Sequence, residues 1–180
     1  MGVLVLAELD ADGLADASLR AVSLARELGG PVAVAVFGSA SGDAAAAAAT
    51  LADYGVSDIY EISLDGYAPQ AWGRALAGLA SEIGASAVLA AGTDHGNEVL
   101  AHAGAITGLP MAANVVSVSP GEPLSLTRQR WAGLLLEDAL LEAPVALLTV
   151  ATDAVAATPA EVASEPVTHS VQPEVSATDL

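Results

Sequence analysis

From residue 3 to residue 107, short apolar runs alternate with segments of helical periodicity, and this alternation limits the fold more than any other feature. The apolar runs are VLVLAEL (3–9), PVAVAVF (31–37), SDIYEIS (57–63) and SAVLAA (86–91). Apolar residues then recur at spacings of three and four over 17–28, 43–54, 69–83 and 95–107, and a glycine follows each segment. Four strand-then-helix units in succession predict a doubly wound parallel sheet with right-handed crossovers.

The rhythm changes after Pro110. Four strands without intervening helices are predicted at 114–119, 124–132, 134–142 and 145–151, with antiparallel pairing, and 134–142 is also compatible with a short helix. Beyond Thr152 the chain carries three prolines, scattered acids and no aromatic residue. We therefore expect an α/β domain over 1–151, a mainly parallel sheet with an added antiparallel hairpin region, and an extended acidic tail or linker over 152–180.

The charge balance excludes several classes of partner. The chain has 22 acidic residues and five basic ones, all arginine, which makes nucleic acid and anionic membrane surfaces poor partners. The absence of cysteine excludes disulfides, thiol nucleophiles and iron–sulfur clusters. The start of the chain has no basic segment typical of a signal peptide, and acids and Pro144 interrupt the most apolar later stretch. We therefore expect a cytoplasmic protein that does not insert into a membrane.

The loops expected at the carboxyl ends of the parallel strands form the first candidate site. They match neither of the glycine-rich phosphate-binding motifs. They carry six acids that would repel a phosphate: Glu8, Asp10, Asp12, Asp43, Asp65 and Asp94. The sequence disfavours a nucleotide here, although the fold class keeps that alternative open, and the rim from Thr93 to Glu98 is where a ligand would lie.

His95, Glu98 and His102 are spaced so that they share one helix face, which suits a metal ion on paper. The spacing matches no H-E-x-x-H motif, and Asp94 is better explained as a helix N-cap, so an ordinary capped helix is favoured. No G-x-S-x-G elbow is present. We therefore predict neither catalytic residues nor a metal site.

The stretch LTRQRWAG is the most distinctive local feature. Arginine and tryptophan are enriched in interface hot spots, so Arg128, Arg130 and Trp131, with the nearby Leu134, form a candidate docking edge for another protein. The alternative is that the two arginines neutralise the chain's own acids. Trp72 and Trp131 are expected to pack internally rather than to contact a cofactor.

In ordered succession, these segments resemble the N-terminal domain of the alpha subunit of electron transfer flavoproteins. The resemblance rests on VLVLAELDADGLADASLRAVSLARELGGPVAVAVFG, AAAATLADYGVSDIYEI, VLAAGTDHGNEVLAHAGAITGLPMAANVVSV and LTRQRWAGLLLEDALLEAPVALLTV, over residues 3–151. Two motifs depart from the family pattern. GNE (96–98) stands where the family has Gly-Arg-Asp, and RQRWAGL (128–134) stands where it has Arg-Pro-x-x-Ala-Gly-Asn.

The resemblance implies a scaffold that catalyses nothing alone. Its partners would be the beta subunit, which the antiparallel hairpin region borders and which can carry AMP, and a separate domain that holds most of the FAD. Electrons would pass from flavin dehydrogenases to a quinone-linked or other acceptor. The segment near the C-terminus is similar to the linker that precedes the family's flavin domain. A stand-alone small-ligand domain and a piece of a longer alpha subunit are the alternatives.

Overall fold

A computed structural model of the protein describes residues 2–11, 13–38, 43–64, 66–176 and 178–179, with the side chains of 43–46 excepted. Eleven strands lie within these ranges: β1 Gly2–Ala7, β2 Leu9–Asp10, β3 Gly13–Leu14, β4 Val32–Gly38, β5 Val56–Ser63, β6 Ala85–Ala91, β7 Met111–Ser119, β8 Leu124–Arg130, β9 Leu135–Leu141, β10 Ala146–Val150 and β11 Val167–Val171. Four helices accompany them: α1 Asp16–Glu27, α2 Asp43–Asp53, α3 Pro69–Glu82 and α4 Asp94–Thr107. The predicted strand–helix units are confirmed.

Nine strands form one sheet in the order β11-β5-β4-β1-β6-β10-β7-β8-β9. Within the described residues of this sheet, only the β7–β8 and β8–β9 pairings are antiparallel, and β2 and β3 form a separate antiparallel pair. The ambiguous leucine run is strand β9. The expectation of antiparallel pairing throughout the last four strands is wrong for β10, which lies parallel between β6 and β7. All five residues of β10 are buried, as is typical of a central strand covered on both faces.

Helices cover both faces of the sheet, which confirms the doubly wound class. Residues of α1 and α2 pack with one face of the strands, and residues of α3 and α4 pack with the other. The crossing of α3 and α4 is close at Gly73, where an added Cβ would lie 2.9 Å from the carbonyl oxygen of Val99 and from the amide of Ala103. Small residues therefore set the spacing of this helix pair.

The segment after Val150 crosses the domain surface without forming a core of its own. Arg20 donates to the carbonyl of Val155 at 2.8 Å, and Arg26 donates to that of Thr158 at 2.7 Å. Strand β11 then pairs in parallel with β5 at the edge of the sheet. The extended character was predicted, but β11 was not, because its docking depends on the open edge of β5 rather than on a pattern within the segment.

The end of this segment is fixed on α3. The carboxylate of Asp179 accepts hydrogen bonds from Arg74 Nε at 2.9 Å and from Gln70 Nε2 at 2.9 Å. The hydroxyl of Ser176 donates to the same carboxylate at 2.7 Å. These donors hold the pKa of Asp179 well below its usual range, with Arg74 the largest cause. Three of the five arginines thus bind this segment to the domain.

Candidate functional site

The carboxyl ends of β1 and β6 meet at the point where the chain reverses its direction of travel across the sheet. It moves from β1 outward to β4 and β5, and it returns to β6 on the other side of β1. Open α/β sheets bind ligands in the crevice at such a switch point. Here the side chain of Glu8 reaches across it, and its Oε1 accepts a 2.5 Å hydrogen bond from the Thr93 hydroxyl. The Glu8 carboxylate therefore lies at the switch point of this sheet.

The start of α4 packs tightly against the end of β6. The Thr93 Oγ1 accepts a hydrogen bond from the backbone N–H of Gly96 at 2.9 Å, which makes Thr93 the N-cap. The expectation that Asp94 caps this helix is wrong, since Asp94 is its first residue. A Cβ on Gly96 would lie 2.0 Å from the carbonyl oxygen of Ala91. The turn therefore leaves little room beneath the first amides of α4.

A polar network centred on the buried Thr149, which the sequence analysis missed, joins α4, β10 and β7 at the same edge. The backbone N–H of Asn114, which has a φ of 58°, donates to Thr149 Oγ1 at 3.1 Å. The Thr149 hydroxyl in turn donates to Asn97 Oδ1 at 2.8 Å, and Asn97 Nδ2 donates to the carbonyl of Thr93 at 2.8 Å. A lone threonine inside the apolar strand ALLTV was the signal that could have indicated it.

Of the residues considered for a metal site, His95 takes part in a stack of rings and Glu98 binds a member of that stack. His95 stacks on Tyr67 with ring centroids 4.3 Å apart, and the Tyr67 hydroxyl donates to Glu98 Oε2 at 2.7 Å. Burial and then this bond to Glu98 raise the pKa of Tyr67 well above its usual range. His102 lies further along α4, where its Cβ faces Gly73 of α3.

Trp72 extends the ring stack into the domain. It meets Tyr67 edge to face at 5.3 Å and stacks on the buried Phe37 at 4.2 Å. The expectation that Trp72 packs internally is confirmed.

Among the described parts of the chain, no group of three or more His, Asp or Glu side chains is arranged to hold a metal ion. Of the six rim acids, Asp12, Asp65 and the side chain of Asp43 lie outside the described residues.

The β8–β9 hairpin carries five of the eight exposed large apolar side chains among the described residues. We define the hairpin surface as the five exposed apolar side chains Trp131, Leu134, Leu135, Leu136 and Leu140, with exposed fractions from 56% to 83%. Only three other large apolar side chains in the described ranges are exposed. Such a concentration of exposed apolar side chains on one element is typical of an interaction site. Trp131 is 77% exposed. The expectation that it packs internally is therefore wrong.

The two arginines of the hairpin bind an acid of the same hairpin. Arg128 Nε lies 2.6 Å from Glu137 Oε2, and Arg130 Nε lies 3.6 Å from the same oxygen. The two arginines thus lie beside an acid of the chain itself, as the alternative expects, and the docking role of Arg128 and Arg130 stays a prediction. Their contacts leave the apolar side chains of the hairpin surface facing outward.

A family model described as the electron transfer flavoprotein domain matches residues 3–176. The chain belongs to the electron transfer flavoprotein family. The match extends through β11, further than the similarity read from the sequence over 3–151. A search of curated proteins found no match. In the described parts of this electron transfer flavoprotein domain, no helix is long and apolar enough to cross a membrane.

The two departures from the family pattern have local structural consequences in this electron transfer flavoprotein domain. Asn97 belongs to the polar network around Thr149, and Glu98 binds Tyr67. In the hairpin, the RQRWAGL stretch forms the tip, where Trp131, Ala132 and Gly133 have φ values of 51°, 52° and 81°. Three consecutive residues in the left-handed region produce a tight turn that leaves Trp131 exposed.

Proposed function

We propose that this chain is the alpha-type N-terminal domain of an electron transfer flavoprotein complex. It assembles with a beta-type subunit and with a flavin domain that holds most of the FAD, and AMP belongs to the beta-type subunit. The complex carries electrons from flavin dehydrogenases to a quinone-linked or other acceptor in the cytoplasm. This chain is a scaffold and performs no catalysis by itself.

The observation that carries the proposal is the position of the Glu8 carboxylate at the switch point of a domain that belongs to this family. An acid at this place opposes binding of the flavin's diphosphate, because it offsets the attraction that the N-terminus of α4 exerts on anions. The cofactor of the complex is then bound mainly by other chains or domains. What remains for this domain is a structural role.

The hairpin surface supports assembly. It groups a tryptophan and four leucines on one projecting hairpin, whereas most large apolar residues of the described ranges are buried. A partner that covers it removes apolar area from water, which stabilises the complex. We assign four residues to this interface: Arg128, Arg130, Trp131 and Leu134. The two arginines are included because they lie beside the apolar side chains.

The experiment is a comparison of tagged variants expressed in the native host. Trp131→Ala and Leu134→Ala should reduce the recovery of co-purifying chains and of bound flavin about tenfold or more, because truncation of an interface anchor commonly costs 2 kcal/mol or more. Val162→Ala is the control, since Val162 is 79% exposed but lies outside the hairpin. Unchanged recovery with both hairpin variants would refute this interface.

A further inference from the structure

We propose that two copies of this chain pair through β11, antiparallel about a twofold axis at His169, so that their two sheets join into one. The partner at this edge is a second copy of the chain. β11 and β9 lie at opposite ends of the nine-stranded order, so this contact leaves the hairpin surface open. The inference therefore does not depend on the proposed function.

The first observation is the open outer side of β11. Among the described residues, β11 pairs only with β5, and the pairing is regular over all five residues. Three of the five residues are exposed: Val167, Thr168 and Ser170. Edge strands are commonly protected by lysine, proline or a bulge, and 167–171 contains none of these. This edge is therefore available to a further strand.

The second observation is the sequence of β11, Val-Thr-His-Ser-Val, which is nearly symmetric about its central residue. Antiparallel pairing of two copies in full overlap places Thr168 of one copy opposite Ser170 of the other. Hydrogen bonds between such hydroxyl pairs stabilise a strand pair. Val167, 56% exposed, would lie opposite Val171 of the other copy, which removes apolar area from water. The edge is therefore complementary to itself.

Two prolines favour this register over shifted ones. Pro166 precedes β11 and Pro173 follows it by two residues. A shift by two residues in one direction would place Ser170 opposite Pro166, and the same shift in the other direction would place Val167 opposite Pro173. Proline cannot donate to the hydrogen-bond ladder of a sheet. The overlap centred on His169 keeps both prolines outside the paired residues.

Contacts within the chain hold β11 in place for such pairing. His169 Nε2 lies 2.8 Å from Asp58 Oδ1, and its ring stacks on Tyr60 with centroids 4.7 Å apart. Just before the strand, Ser164 Oγ donates to the carbonyl of Val56 at 2.6 Å. A strand that is already ordered reduces the entropic cost of association. Each of the two facing imidazoles also has an acid of its own chain beside it, which offsets a positive charge on the ring.

The first test is sedimentation equilibrium of the full chain. Each copy has a net charge of −17, and about 0.15 M salt screens the distant part of their repulsion. A five-residue strand pair is a small interface, so we expect a dimer dissociation constant between about 10 μM and 1 mM. Amide hydrogen exchange should show added protection within 167–171 at high protein concentration. A chain that stays monomeric at about 1 mM would overturn the proposal.

Charged variants test the pairing of Thr168 with Ser170. One double variant carries Thr168→Asp and Ser170→Asp, and the other carries Thr168→Arg and Ser170→Arg. Each variant alone places like charges opposite each other, so its dimer dissociation constant should rise about tenfold or more. An equimolar mixture of the two should recover a dimer at least as tight as that of the wild type, because every aspartate then faces an arginine.

The matched control is Ser117→Asp with Ser119→Asp, which adds the same two charges at the same spacing to exposed positions of β7. This control should dimerise as the wild type does. Exchange of the amides of 56–63 measures whether β11 keeps its pairing with β5, and the wild-type measurement decides the proposal where that pairing is lost. Equal self-association of the aspartate variant and the control, or a mixture of the charged variants that stays monomeric, would contradict the twofold pairing.

Discussion

The Thr93 hydroxyl donates to the carboxylate of Glu8 at 2.5 Å and also accepts the N–H of Gly96, so one side chain joins β1, β6 and the start of α4. This contact places a carboxylate at the switch point, where open α/β sheets bind ligands. The proposed scaffold role rests on this arrangement.

Thr93→Val should lower the free energy of unfolding by about 1 to 2 kcal/mol, because it removes the helix cap and leaves Glu8 without this donor. Thr93→Ser keeps the hydroxyl and is the matched control. Urea unfolding at neutral pH followed by circular dichroism measures both. Equal stability of the Val and Ser variants would show that the Thr93 hydroxyl contributes nothing to the free energy of unfolding.

Gly73→Ala should destabilise the domain by about 1 to 3 kcal/mol, since its Cβ would lie 2.9 Å from three atoms of α4 and must push the helices apart. Gly78→Ala in the same helix has no atom within 4 Å of the added Cβ, and it should stabilise by about 0.5 to 1 kcal/mol. Thermal unfolding of the two variants compares them. A stabilising Gly73→Ala would contradict the close crossing.

The Asp179 cluster predicts a pH dependence with a defined sign. Its pKa is lower in the folded chain than the ordinary value near 4, so its stabilising contribution is fully present above that value. The contribution is lost as the pH falls through the folded pKa. Hydrogen exchange near neutral pH should be faster around residue 176 in Asp179→Asn than in the wild type.

The same variant, Asp179→Asn, tests how the stability of the chain depends on pH. Stability curves of the wild type and of Asp179→Asn should be separated by a constant amount from pH 5 to 7. They should begin to converge below about pH 4, where this carboxyl becomes protonated in the unfolded chain, and the difference should be lost as the pH falls through the lower pKa of the folded chain. A separation that grows on acidification would contradict the assignment.

Ala132→Gly should raise the free energy of unfolding by up to about 1 kcal/mol, because Ala132 has a φ of 52° and glycine adopts this conformation without steric cost. Gly133→Ala, at a φ of 81°, should have the opposite effect. Chemical unfolding measures both changes. Opposite signs to those expected would show that the tip rearranges when it is substituted.

The sequence predicted the parallel half of the fold well because each unit carried its own signals, such as the apolar run 86–91 followed by a helix that stops at Gly108. The strand and helix periods differ, so these elements were distinguishable locally. β10 is predicted as a strand but with antiparallel instead of parallel pairing, because its neighbours β6 and β7 are distant in the sequence. β11 was missed for a similar reason, since it depends on the edge of β5.

The candidate site was less accessible from the sequence. The acidity of the rim was evident, but the side chains of Glu8 and Thr93 are 85 residues apart and meet only through the strand order. The network through Thr149 is equally non-local. At the hairpin, Trp131 was selected for its residue type, whereas its exposure depends on the turn conformation of the tip.

The most direct test of the scaffold role is purification of the tagged chain from its native host, with the visible absorption spectrum recorded alongside the masses of the co-purifying chains. The account predicts flavin absorption bands together with further chains, which separate from this chain with the flavin when the complex is dissociated. A colourless chain recovered alone, or flavin that stays bound to this chain after separation, would contradict it.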